Sequence, residues 1–177
     1  MNLESERVLL RPLCVEDAEG NYPNWLNDPE VCRYNSHGER RYTKEMAREY
    51  IELVSSSDAY EVFAVIDKKN DTHIGNISLQ QIDPKNKKAE FAILIGEKAY
   101  WGTGYAYEAA KAIVRYGFEH LKLHRIYCGT SAQNIAMQKL ALKLGFIKEG
   151  RSREAFFKNG KYYDILHYGI LNGDTPL

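Results

Sequence analysis

The amino-acid sequence predicts a mixed α+β fold: a central, mostly antiparallel twisted sheet with helices on both faces. Strand-like and helical segments alternate along the whole chain, which is the pattern of a layered domain. Turn-forming clusters separate three consecutive strand-like runs, as in an antiparallel meander. The longest helical segment is apolar around most of its circumference, so it is expected to pack against that sheet.

The first half of the chain begins with a predicted edge or near-edge strand at 7–13, followed at 21–34 by short helical turns and loop. Thr43 is the predicted N-cap of a helix, because apolar residues then recur at helical spacing, and the serines 55–57 end that helix. The strands of the meander follow at 60–66, 73–82 and 89–95. The polar sequences DKKNDT and DPKNKK between them are typical turns.

The second half of the chain alternates helices and strands. A helix is predicted over 105–121 and a short strand over 124–130. Asn134 begins a second helix, and Gly145 lies where a left-handed C-cap is expected. Asn159-Gly160 predicts a two-residue hairpin turn. Extended chain is predicted at 146–150, 155–158 and 161–170.

Length and composition predict one domain spanning residues 1–177 and exclude several classes of protein. The chain has 24 basic and 24 acidic residues, so it lacks the basic excess of a nucleic-acid-binding protein. Three scattered cysteines are too few for a disulfide framework, and no metal site is expected. Because the chain has neither an apolar run of about 18 residues nor a signal-peptide pattern, no membrane contact is expected and a cytoplasmic location is predicted.

The segment Trp101–Ala110, WGTGYAYEAA, carries the clearest functional signal. It follows a strand-like run and opens the long helix. Gly102 and Gly104, with only a methyl group at Ala106, let the backbone approach a ligand closely. The helix start directs its free N–H groups and the positive end of its dipole into this turn. The segment therefore predicts an anion site, best suited to a phosphate-bearing cofactor.

Two other phosphate-binding motifs fit this segment poorly. A dinucleotide site needs a third glycine and an acidic residue about 20 positions further on. Tyr107 stands where that glycine would be, and residues 124–128 (HRIYC) contain no acid. A nucleoside-triphosphate loop would end in Gly-Lys-Ser/Thr, which the sequence lacks. Taken by itself, the glycine pair could also be a simple tight turn.

A second motif supports the interpretation of the first. Asn134 precedes a helix that ends in Lys143-Leu144-Gly145-Phe146. Together with Trp101, Gly104 and Ala106 of the first motif, it makes the chain resemble the Gcn5-related N-acetyltransferases (GNAT), in the branch similar to the ribosomal-protein N-terminal acetyltransferases. The resemblance extends from the opening strand RVLLRPL to the closing hairpin, and it implies a fold that agrees with the elements predicted above.

The resemblance implies that acetyl-CoA is the cosubstrate. Its pyrophosphate would lie on the amides from Gly102 to Ala106, and its pantetheine arm would pair with the strand near Ile93–Ile95. Main-chain N–H groups at the splayed strand edge would polarise the acetyl carbonyl. Asn134 would contact the cofactor near its reactive end. The cofactor-binding residues implied in this way are Ile93, Leu94, Ile95, Trp101, Gly102, Thr103, Gly104, Tyr105, Ala106 and Asn134.

Glu90 is the predicted catalytic residue. Acetyl transfer requires a neutral amine, so a base must remove a proton from the acceptor. The resemblance places Glu90 near the start of the strand that faces the thioester, and an acid between Ala89 and Phe91 is not expected for packing. Burial should raise the pKa of this carboxyl group toward a useful value. The alternative is a solvated carboxylate, or one that binds a substrate cation without proton transfer.

The chain departs from the family pattern at the group that protonates the leaving thiolate. Ala141 stands where many relatives have a tyrosine, and Met137 replaces a frequent serine. Because a thiol has a reference pKa of about 8.5, solvent could complete this step. Cys128 as an acyl carrier is less expected than a packed apolar cysteine. Four tyrosines elsewhere stay open as donors: Tyr105, Tyr107, Tyr162 and Tyr163.

The predicted function is N-acetyl transfer from acetyl-CoA to a primary amine by direct attack. The acceptor could be a small amine, an amino sugar or a peptide N-terminus, and the resemblance implies that it binds between residues 21–42 and the C-terminal hairpin. The alternative function is a non-catalytic acyl-CoA-binding module, which the missing tyrosine would suit. A homodimer is compatible with the sequence, and no nucleic-acid partner is expected.

Overall fold

The computed structural model describes residues 1–174. Its strands are β1 (Leu3–Glu4), β2 (Val8–Pro12), β3 (Tyr60–Asp67), β4 (Thr72–Asp83), β5 (Lys88–Ile95), β6 (Arg125–Ser131), β7 (Ile147–Lys158) and β8 (Lys161–Leu171). Its α-helices are α1 (Tyr22–Trp25), α2 (Lys44–Ser55), α3 (Tyr105–Glu119) and α4 (Ile135–Lys143). The strands form one eight-stranded sheet in the order β1-β2-β3-β4-β5-β6-β8-β7.

The predicted fold class is confirmed. Within the sheet β5 and β6 run parallel, and the other neighbouring strands run antiparallel. Successive residues of a strand point to opposite faces, so β3 contributes Phe63 and Val65 to one apolar core and Ala64 and Ile66 to the other. Helices α3 and α4 cover the first core, and α1 and α2 cover the second.

Helix ends lie where short-range signals predict them. The Thr43 side chain caps α2 by accepting a hydrogen bond from Met46 N at 3.3 Å. Asn134 caps α4 in the same way, accepting from Met137 N at 3.1 Å. Gly145 follows α4 with a φ of 90°, the left-handed conformation expected after a helix. Helix α3 ends at Glu119, slightly before the predicted end.

The C-terminal hairpin is longer than predicted. The predicted segments 146–150 and 155–158 belong to one strand, β7, which is interrupted by an irregularity between Ser152 and Phe156. Glu154 adopts a φ of 50° there, and its main-chain N–H donates to Asp164 Oδ1 at 2.8 Å. Asp164 therefore has a structural role, because it replaces a ladder hydrogen bond that the bulge removes.

Three further features concern the described part of the chain. Among residues 1–174, no helix combines the length and apolar content needed to cross a membrane. The same residues contain no cluster of histidine, cysteine and acidic side chains that could hold a metal ion. The cysteines are free thiols: Cys14, Cys32 and Cys128.

Candidate active site

The glycine-rich segment forms an open loop at the N-terminus of α3. Gly104 is the N-cap with a φ of 93°, and Gly102 has a φ of 73°, so both adopt the left-handed conformation that favours glycine. The Gly104 carbonyl accepts the N–H groups of Tyr107 and Glu108, each at 3.1 Å. Within residues 1–174, the main-chain N–H groups of Gly102, Gly104, Tyr105 and Ala106 have no protein acceptor. The loop can therefore donate several hydrogen bonds to an anion.

Buried polar contacts hold this loop from the side of the sheet. Asp67 accepts hydrogen bonds from the hydroxyl groups of Tyr100 at 2.9 Å and Tyr105 at 3.1 Å, one on each side of the glycine pair. The Trp101 indole donates to Ile95 O at 2.8 Å, which ties the loop to the end of β5. Because the hydroxyl proton of Tyr105 is donated to Asp67, we do not expect Tyr105 to protonate the thiolate.

Arg7 is a site residue that the sequence analysis missed. Its guanidinium donates to Thr103 O at 3.2 Å, forms an ion pair with Glu108, and lies 4.5 Å from the centre of the Tyr105 ring. These contacts join the N-terminal strand to the loop and place the Arg7–Glu108 ion pair beside it. No local pattern indicates this contact, because Arg7 lies within a strand pattern and Glu108 lies on the polar stripe of a helix.

The sheet opens beside this loop. The parallel ladder between β5 and β6 covers only residues 88–90 and 125–127. Beyond it, β5 continues to Ile95 along β4, and β6 continues to Ser131 along β8. The N–H and C=O groups of alternate residues point to opposite edges of a strand, so half of those in residues 91–95 face the gap. An extended ligand can therefore pair with β5 where Ile93, Leu94 and Ile95 were predicted to bind the cofactor.

Glu90 is the last residue of β5 that pairs with β6, so it lies where the two strands diverge. Its Oε2 atom accepts a hydrogen bond from Gln81 Nε2 at 3.0 Å. Burial raises the pKa of Glu90 above its ordinary value, and the nearby His167 opposes this shift. The raised pKa moves the carboxyl group toward the range in which it can accept and release a proton.

A cavity of about 170 Å³ lies between β4, β5 and the helices α1 and α2. Glu90 lies next to this cavity. Gln80, which pairs with Glu90 across the strands, lines the cavity, and so does Ala92, which lies on the same face of β5 as Glu90. The other lining residues are Tyr22, Leu26, Asn35, His37, Tyr50, Val62, Asn76, Ile77, Ser78, Ile93 and Leu94. Burial, followed by the charges of Lys158 and Arg40, lowers the pKa of His37. A second depression of about 340 Å³ lies at the opposite end of α3 and is lined by none of the predicted site residues.

Other predicted groups are accounted for by their contacts. Cys128 is 1% exposed, and burial followed by the charge of Glu90 raises its pKa to about 12, which makes it a poor nucleophile. Lys143 Nζ lies 4.1 Å from the centre of the Tyr107 ring. The Asn134 oxygen is occupied by its capping bond, and among the described residues its Nδ2 has no protein acceptor. Its contact with the cofactor stays a prediction.

Comparison with known proteins agrees with this geometry. A sequence model of the acetyltransferase (GNAT) domain matches residues 7–147. The chain belongs to the GNAT family of acetyltransferases. It is 32% identical over 172 residues to the uncharacterized N-acetyltransferase p20 of Bacillus licheniformis, covering 96% of this chain and 95% of that protein. It is also 32% identical over 173 residues to the spermidine N(1)-acetyltransferase of Escherichia coli K12, covering 93% and 86%.

A solved structure extends the similarity to the whole fold. The spermidine N-acetyltransferase of Vibrio cholerae, crystallised with CoA and spermine, superposes with a TM-score of 0.86 and 27% identity, covering 94% of this chain and 96% of that one. This GNAT protein transfers an acetyl group from acetyl-CoA to an amine. The comparisons therefore favour the enzyme over a non-catalytic acyl-CoA-binding module. The free amides of the loop and the open edge of β5 fit a cosubstrate with a diphosphate and an extended amide-containing arm.

Proposed function

We propose that this GNAT protein acetylates the primary amine of a small molecule and that Glu90 is the general base. The observation that carries this proposal is a partly buried carboxyl group at the divergence of β5 and β6, beside a cavity of about 170 Å³. Acetyl-CoA supplies the acetyl group as a thioester. Glu90 accepts the proton that the acceptor amine must lose.

Other groups of the site bind acetyl-CoA and orient its acetyl group. The N–H groups of the glycine loop hold the diphosphate, and Arg7 supports the loop through its bond to Thr103 O. Main-chain N–H groups of β5 at the gap stabilise negative charge on the acetyl oxygen. Ala141 occupies the family's usual tyrosine position and Tyr105 donates to Asp67, so the thiolate is protonated by solvent or by one of Tyr107, Tyr162 and Tyr163.

The cavity supports a small acceptor. A space of about 170 Å³ between the sheet, α1 and α2 has room for a compact amine. Spermidine acetyltransferases are among the relatives with a named acceptor, and one of them was solved with spermine. A homodimer also remains a proposal, which light scattering after gel filtration would test.

The test combines an acceptor panel with one substitution. Spermidine, glucosamine and a short peptide are incubated with acetyl-CoA, and acetylated products are identified by mass spectrometry. Glu90→Gln should lower kcat by about 10²- to 10⁴-fold while coenzyme A binds with unchanged affinity. Glu49→Gln, which removes an exposed carboxylate from α2, is the matched control and should keep the wild-type rate.

Two results would contradict the proposal. Acetylation of peptides alone, with no product from small amines, would overturn the acceptor class. A Glu90→Gln variant with a wild-type kcat would remove Glu90 as the base.

A further inference from the structure

Lys158 carries a buried ammonium group outside the machinery described above. It is the last residue of β7, and it is 5% exposed. Its Nζ donates to three main-chain carbonyl oxygens: Cys32 O at 2.6 Å, Asn35 O at 2.5 Å and His37 O at 2.5 Å. An ammonium group has three donors, so every one of them is used.

The charge of Lys158 is balanced by carbonyl dipoles. Among the ion pairs of residues 1–174, none includes Lys158. Burying a charge is costly unless hydrogen bonds compensate for it, and the three carbonyl groups provide that compensation. Without the ammonium group, the same three carbonyl oxygens would lose their shared donor inside the protein.

Two of the three residues that supply these carbonyl groups, Asn35 and His37, line the cavity proposed for the acceptor. Residues 32–37 form turns and bends between α1 and α2, with no helix or strand to fix them. Asn35 and His37 of this segment line the cavity, and the His37 ring is hydrogen-bonded to Tyr42 at 2.7 Å. Lys158 reaches this segment from the tip of the hairpin, across 121 to 126 positions of sequence. One side chain thus joins the two chain segments predicted to flank the acceptor.

We propose that Lys158 is a positioning residue that fixes residues 32–37 as one wall of the acceptor cavity. The inference rests on the proposed function, in which this cavity receives the amine. Lys158 acts through the main chain of the loop and does not touch the reacting atoms. Its loss should therefore affect acceptor binding and loop order, and leave the cofactor loop unchanged.

The first test compares Lys158→Met with Lys161→Met. Both substitutions remove one positive charge from the hairpin, but Lys161 is exposed on the opposite strand next to the turn. In Lys158→Met, hydrogen exchange of the amides in residues 32–37 should become faster, while that of residues 101–108 stays unchanged. The KM for spermidine should rise by about tenfold to a hundredfold with a much smaller change in kcat. Lys161→Met should match the wild type in all of these measurements.

A chemical rescue separates the ammonium group from general packing. Lys158→Ala leaves space for propylammonium, which replaces the deleted atoms and presents the same charge to the three carbonyl groups. Added propylammonium should restore slow exchange in residues 32–37. Hydrogen exchange is the readout of this rescue, because propylamine is itself a small primary amine and would compete with spermidine for the acceptor cavity. If Lys158→Met does not fold, Lys158→Ala purified with propylammonium gives the same comparison when the amine is removed.

The two proposals fail in different ways. Wild-type exchange in residues 32–37 of Lys158→Met, or loss of protection that propylammonium does not restore, would overturn the role of Lys158. Absence of any acetylated small amine with the wild-type enzyme would overturn the proposed function. In that case, hydrogen exchange in Lys158→Met would still show whether Lys158 fixes residues 32–37.

Discussion

The N-cap of α3 provides a quantitative test of the cofactor loop. Gly104 has a φ of 93°, and a Cβ atom built on it would lie 3.0 Å from Arg7 Nη2. A residue with a side chain in the left-handed region costs roughly 1–2 kcal/mol, and a β-branched residue is among the least tolerant. The loop of Gly104→Val should therefore relax to a different conformation, and the guanidinium of Arg7 should move away from it.

Cofactor binding would have to restore the original conformation of this loop. The strain then appears as lost affinity, and 1.4 kcal/mol corresponds to a factor of 10. We expect coenzyme A to bind Gly104→Val at least about tenfold more weakly by isothermal titration calorimetry.

The matched control is Gly160→Ala in the hairpin turn, where φ is 75° and nothing lies within 4 Å of an added Cβ. This variant should lose stability but keep the affinity for coenzyme A. An unchanged dissociation constant for Gly104→Val would refute the assignment of the loop.

Three other predictions follow from individual contacts. Asp67→Asn weakens the support beneath the loop, so calorimetry should show a several-fold loss of coenzyme A affinity with an unchanged KM for the acceptor. Because burial raises the pKa of Glu90, its basic form is lost as the pH falls through that raised value. The acid limb of kcat/KM should therefore lie above the range of an ordinary glutamate and disappear in Glu90→Gln. For the same reason, Glu90→Gln should not lower the melting temperature at pH 8, since the charged form is disfavoured in the fold. Thr43→Ala removes the cap of α2 and should lower the free energy of unfolding by about 1 kcal/mol in urea titrations, without changing coenzyme A affinity.

The features that were predicted correctly depend on short stretches of sequence. Each cap, at Thr43 and Asn134, needs only a hydrogen bond from the main-chain N–H of the residue three positions later. The left-handed conformation at Gly145 needs only the backbone freedom of glycine. The loop at Gly102 and Gly104 is equally local, because its free amides follow from a turn that opens a helix. These features can therefore be predicted without knowing which residues pack against them.

The features that were missed depend on contacts between distant residues. Strand β1 has two residues, too few for a periodic pattern, and exists through its pairing with β2. Arg7 and Glu108 are separated by 101 positions, so neither sequence neighbourhood indicates the other. Lys158 lies next to a predicted turn, where a lysine is expected in solvent, yet the fold buries it against carbonyl groups from the other half of the chain.

The central claim is that the amides at the start of α3 and the open edge of β5 bind coenzyme A, with Glu90 beside its reactive end. A crystal structure of the protein with coenzyme A tests this claim most directly. We expect the diphosphate on the N–H groups of Gly102–Ala106, the pantetheine arm along Ile93–Ile95, and the thiol in the gap next to Glu90. A coenzyme A molecule bound elsewhere, with these amides left free, would contradict the account.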